Sequence, residues 1–167
     1  MKGRFRGNLT EKEVILTAEG FQRLSEEIEY LSTIKREEVS ERIKDAREFG
    51  DISENSEYNE AKNEQAKLEM RIGSLEQKLR NARVLSGAEI KTDAVGIGCK
   101  VHIEDAKHGD SFTYVVVGSV EADPANKKLS NESPVGKAIM GRKAGETVKV
   151  ATPRGAAKYK IVSIRKG

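Results

Sequence analysis

Arg47-Glu48-Phe49-Gly50-Asp51-Ile52-Ser53-Glu54-Asn55-Ser56-Glu57-Tyr58 is the stretch where one helical pattern stops and another starts. Before it, apolar residues fall at Phe21, Leu24, Ile28, Leu31 and Ile34, then at Val39, Ile43, Ala46 and Phe49, mostly in steps of three and four. After it, Tyr58, Ala61, Gln65, Leu68, Ile72, Leu75, Leu79 and Ala82 alternate steps of three and four, a heptad seam with Gln65 as its polar member. Thr17 is a natural cap for the first helix, Glu19 suits its positive end, and Gly50 is a natural stop. Residues 17 to about 85 therefore read as helix on both sides of a short turn, with no proline before Pro124. Two helices joined by so few residues run antiparallel. At 1.5 Å per residue, an arm of about 30 residues extends roughly 45 Å.

Beyond residue 90 the period changes from helical to two. Cys99 to Glu104 alternates, and Phe112 to Val117 has the composition of a buried strand. Glu146 to Ala151 and Ala156 to Ile164 read as two more strands, punctuated by glycines and by Pro153-Arg154-Gly155. Between them, Ser133 to Gly141 reads as one short helix, with Ser133 as cap, Pro134 as first residue and Gly141 as stop. The fold class is α+β: a long antiparallel coiled-coil hairpin followed by a small sheet of four or more strands with one short helix. The expected division is a flexible extension over 1–11, the hairpin over 12–88 with its acidic tip at 50–55, and the sheet domain over 89–167.

Composition narrows the function classes. Of 167 residues, 34% are charged and 37% apolar, and no apolar run approaches the ~18 residues of a spanning helix. The basic start carries no apolar signal region, and a single cysteine, Cys99, precludes an internal disulfide, so a cytoplasmic protein is expected. Net charge is only +3, but it is unevenly placed. Asp51 to Glu60 holds four acids and no base, whereas Lys137 to Gly167 holds nine bases and one acid. Such a distribution can orient a molecule in a partner's field, although each cluster also reads as a solvated face. Cys99, His102 and His108 lack the spacing and the fourth ligand of a zinc site.

Asp51 and Glu54 are three residues apart, which puts both carboxylates on one side of a turn. Two readings stand. Asp-x-x-Glu is a helix-start pattern, with Asp51 capping and Glu54 reaching back, and Ser53 and Asn55 are caps as well. Alternatively the pair is presented at the end of the arm, where clustered acids repel unless a cation or partner offsets them. Two carboxylates are too few to hold Mg²⁺ alone, because the ion wants six oxygens, but they can complete a site whose other ligands lie elsewhere.

Gly50 to Tyr58, followed by Ala61-Lys62, resembles the tip of the bacterial Gre transcript cleavage factors. Leu16-Thr17-Ala18-Glu19-Gly20, Glu121-Ala122-Asp123, Ser133 to Ala138 and Met140-Gly141 are similar to further signatures of that family, in the same order. The first eight or so residues fall outside the pattern, as a species extension or an upstream start codon would. The resemblance implies an FKBP-like C-terminal domain and a factor that acts on bacterial RNA polymerase without being a free-standing enzyme. It implies a monomer whose hairpin enters the polymerase secondary channel. There Asp51 and Glu54 help the polymerase bind a second Mg²⁺, and the 3′ end of a backtracked transcript is cut. It also implies that Arg47 and Lys62 flank the tip and meet nascent RNA or other nucleic acid of the transcription complex. Tyr58 then sits behind the acids, with its place in the heptad seam as the competing role. Ser133 and Pro134 fall on the docking surface, with helix capping as theirs. A related factor that inhibits polymerase without stimulating cleavage is the first alternative. A prolyl isomerase is less favoured, since the C-terminal half offers only Phe112, Tyr114 and Tyr159 for an aromatic pocket.

Overall fold

The computed structural model of the protein describes residues 13–49 and 55–167, and the extension expected over 1–11 lies outside the described residues. The described chain divides into two compact units, Phe21–Ala82 and Glu13–Gly20 with Arg83–Gly167. The division falls at Ala82/Arg83 rather than at 88/89. Glu13–Gly20, which periodicity assigned to the hairpin, clusters with the second unit. The physical reason is a strand pair: β1 (Val14–Leu16) and β2 (Ala82–Val84) form a two-stranded sheet. Leu85 N–H extends it by donating to Leu16 O at 2.9 Å. The second long helix accordingly ends at Arg80, with Asn81 as its C-cap, and Ala82 is a strand residue rather than the last member of the seam.

The first unit is the expected hairpin. Helical backbone continues from α1 (Ala18–Tyr30) through a π-helical turn at Leu31–Lys35 into α2 (Arg36–Glu48), and α3 (Ser56–Arg80) returns. Arg71 pairs with Glu27 at 2.9 Å, Arg36 with Glu69 at 2.8 Å, and Arg42 with Glu64. Each advance along the first strand of the hairpin meets a retreat along α3, so the helices are antiparallel. Val39, Ile43, Ala61, Leu68 and Ile72 form its core, with Leu31 and Tyr58 packed against them.

The π turn explains a phase slip in the sequence. A strict heptad continued from Leu31 would put Lys35, Glu38 and Arg42 on the seam, whereas Val39 and Ile43 are the buried residues. A π turn holds more residues than an α turn, so it absorbs the extra one and restores the seam. Arg36 N–H reaches back to Leu31 O, and Thr33 Oγ1 donates to Glu29 O at 2.7 Å. Ile34, read as a seam residue, lies inside this turn and is 53% exposed.

In the second unit five strands take the order β5-β4-β3-β7-β6: β3 (Cys99–Asp105), β4 (Ser111–Val117), β5 (Lys128–Ser130), β6 (Thr147–Thr152) and β7 (Gly155–Lys166). All neighbours are antiparallel except β4 and β5. One face buries Val101, Ile103, Val116, Val148, Val150 and Ile161, and α4 (Pro134–Ile139) adds Ile139. Each such aliphatic side chain contributes about 1.5–3 kcal/mol when removed from water. β5 escaped periodicity because three residues are too few to show a period. Among the described residues no helix is long and apolar enough to cross a membrane.

Candidate functional site

Asp51 and Glu54 lie outside the described residues. The residues that follow them in sequence start with Asn55. This residue is the N-cap of α3, with extended backbone and its Oδ1 accepting from Tyr58 N–H at 3.2 Å. Its Nδ2 donates to Ala46 O at 2.6 Å. A single amide thus satisfies an orphan donor at the start of α3 and an orphan carbonyl in the last turn of α2. The N-cap of α3 is therefore Asn55.

Arg47, in the last turn of α2, stacks its guanidinium 5.8 Å from the centroid of the Tyr58 ring, at cation–π distance. Two of the residues flanking the turn are thus brought together. Tyr58 also packs on the hairpin core, as its heptad position requires. Lys62 stands one turn further on, exposed, and donates to Gln65 Oε1 at 3.0 Å. Further back, Arg36 grips Glu69 with two hydrogen bonds and holds that carboxyl below its ordinary range. Glu64 raises the Lys35 ammonium.

Phe49 is the aromatic that pattern reading misplaced. It ends the apolar series before the turn, yet it is 86% exposed. The seam needs a residue opposite it, and among the described residues α3 starts only at Ser56. The sequence held the signal in the late start of the second helix.

Ser133 and Pro134 are placed as cap and first residue of α4. Ser133 Oγ accepts from Gly136 N–H at 3.1 Å and donates to Ser130 O at 2.7 Å, while Pro134 is exposed. Thr17 caps α1 by accepting from Gly20 N–H at 3.1 Å, as expected. Periodicity could not reveal that Thr17 is itself held, its N–H donating to Glu121 Oε2 at 3.1 Å and its hydroxyl to Oε1. The Glu121 side chain is 5% exposed, and the Lys128 ammonium lies 3.9 Å from it and 3.5 Å from Glu19. Cys99 faces the core and donates to Lys91 O at 3.2 Å, while His102 points to the other side of β3 and meets Thr113 Oγ1 at 2.9 Å.

The chain is similar to known proteins along nearly its whole length. Residues 14–84 match the family model "Transcription elongation factor, N-terminal", and residues 90–166 match "Transcription elongation factor, GreA/GreB, C-term". Transcription elongation factor GreA of Caldanaerobacter subterraneus subsp. tengcongensis is 56% identical over 155 residues, covering 93% of this chain and 99% of that one. GreA of Acetivibrio thermocellus is 57% identical over 157 residues, covering 94% and 99%. Among solved structures, the GreA factor homolog 1 protein of Thermus thermophilus is 31% identical over 92% of this chain and 99% of that one, with a TM-score of 0.43. Two family models that together span nearly the whole chain, and relatives above half identity over almost all of it, establish that the chain belongs to the GreA/GreB family of transcription elongation factors.

Proposed function

We propose that this protein binds bacterial RNA polymerase and stimulates the polymerase's own endonucleolytic cleavage of a backtracked transcript. The observation that carries the proposal is the double cap at Asn55, which ties the ends of α2 and α3 together on either side of Asp51 and Glu54. Because Asn55 is the N-cap of α3, we assign both carboxylates to a partner rather than to the helix start. They are hard oxygen donors, suited in kind to Mg²⁺ but too few to hold it without further ligands. That donor set fits an ion shared with the polymerase active site, where it would supply Lewis-acid activation of a water. The chain's own residues do the rest. Arg47 and Lys62 set positive charge beside the tip for RNA phosphate, and Tyr58 braces Arg47.

The hairpin geometry suits entry into the secondary channel, with Ser133 and Pro134 at a docking surface of the second unit and the protein acting as a monomer. We also read that unit as FKBP-like, supported by a largely antiparallel sheet with one short helix on its apolar face. The reaction would remain the polymerase's, with this protein as accessory.

The test is a stalled, backtracked polymerase complex with end-labelled RNA and Mg²⁺. Addition of the protein is expected to shorten the transcript. Asp51→Ala and Glu54→Ala are expected to abolish shortening while leaving folding and polymerase binding intact. An unshortened transcript with the parent protein would overturn the proposal, and slowed elongation without cleavage would establish the inhibitor reading instead.

A further inference from the structure

The five-stranded sheet has a second face, and on β3, β7 and β6 it is lined by cations. Strand register puts Lys149 opposite Lys158 and Lys100 opposite Arg165, with Lys160 next along β7. Lys100, Lys149, Lys158, Lys160 and Arg165 are all exposed, and none forms an ion pair among the described residues. Among the described residues of β3, β7 and β6, the acid on this face is Glu104, in register with Lys160. Like charges directly opposite each other on neighbouring strands cost stability. Lysine on an edge strand guards against aggregation, which accounts for Lys149 on β6 but not for cations on the interior strands β7 and β3.

We propose that this face is a docking surface for the phosphate backbone of duplex nucleic acid, bound without sequence readout. This goes beyond cleavage at the hairpin turn and uses different residues. Alternate residues on a strand project about 6.6 Å apart and neighbouring strands lie about 4.8 Å apart, so the sheet sets the cations out as a rigid lattice. A polyanion offsets the repulsion built into that lattice. Four of the five cations are lysines, which meet phosphates as point charges, whereas carboxylate forks on a protein partner favour arginine. The tyrosines and phenylalanine of the sheet, Phe112, Tyr114 and Tyr159, pair with Ile103, Val101 and Val148 on the opposite face. Among the described residues the cationic face of β3, β7 and β6 thus has no Phe, Tyr or Trp on which single-stranded bases could stack or that could anchor a protein interface. Lys100, His102, Thr113, Ser163, Arg165 and Lys166 also line a groove of about 490 Å³.

The experiment is fluorescence anisotropy of a short labelled DNA duplex with the full-length protein across a salt series. Five phosphate contacts predict that raising salt from roughly 50 to 200 mM weakens binding about 500-fold. The triple variant Lys149→Gln, Lys158→Gln, Lys160→Gln is expected to weaken only about tenfold over the same range, and to bind far more poorly at low salt. A control removing equal charge from the α4 side of the unit, Lys137→Gln, Arg142→Gln, Lys143→Gln, is expected to keep the parental slope. Relief of the Lys149–Lys158 repulsion predicts that the triple variant melts no lower than the parent. Should it melt lower, Lys100→Gln with Arg165→Gln carries the same test, with an expected weakening of about 40-fold. Any one of four results would overturn the proposal: no duplex binding by the parent at low salt, equal loss in the control, a flat salt dependence, or equally tight binding of a single strand.

Discussion

Replacing Asn55 separates the two jobs of one amide. Asn55→Ala removes the Oδ1 acceptor for Tyr58 N–H and the Nδ2 donor to Ala46 O. Loss of an N-cap costs about 1 kcal/mol. Loss of a second, half-buried hydrogen bond costs about 1 kcal/mol more. The helix ends at the turn open locally before the hairpin as a whole, so the change is expected in the local opening equilibrium. About 2 kcal/mol corresponds to a roughly 30-fold rise in amide exchange at Tyr58 and Asn59, whose N–H groups bond to Asn55. Asn55→Asp keeps the acceptor and loses the donor, and it sets a negative charge at the negative end of α2. Its exchange is expected to rise about five- to tenfold, with the rise at Arg47 to Phe49 exceeding that at Tyr58. Transcript cleavage should fall in the order parent, Asp, Ala while polymerase affinity holds. Hydrogen exchange by mass spectrometry or NMR reads this directly. A change under about twofold in Asn55→Ala would refute the double cap. An equal rise at Leu68 to Leu75 would show instead that the whole hairpin had loosened.

Two further outcomes follow from single contacts elsewhere. A Cβ on Gly136 would lie 1.9 Å from Ser130 O, whereas one on Gly73, in the interior of α3, would meet nothing within 4 Å. Gly136→Ala is thus expected to cost about 3 kcal/mol and lower Tm by about 6–12 °C, while Gly73→Ala gains about 0.5–1 kcal/mol, as differential scanning calorimetry would show. Asp105 accepts from Lys107 N–H at 2.8 Å, and this bond, with those from His108, holds its carboxyl below the ordinary 3.8. A depressed carboxyl contributes stability above its unfolded pKa and loses it as pH falls through the folded one. The β3–β4 turn should therefore loosen only below about pH 3.8, and Asp105→Asn should flatten that limb of a pH–Tm profile.

Much of this protein follows from local pattern. The heptad seam of α3, the caps at Thr17 and Ser133, the four longer strands and α4 depend on residues close in sequence, so periodicity and cap chemistry suffice to place them. The family signatures likewise lie in continuous stretches. Tertiary structure decided what depends on residues far apart. Ala82–Val84 leaves the helix because β1 is there to pair with it. Val39 reaches the core only through the π turn, whose position answers to the facing helix. Asn55 was one cap among several until Ala46 O came within reach of its amide. The nine bases between Lys137 and Gly167 were a charge count until register placed Lys149 against Lys158. A side chain's neighbours along the chain set its local geometry, but the energy of a cross-strand charge pair or an interhelical hydrogen bond exists only once the fold brings the two ends together.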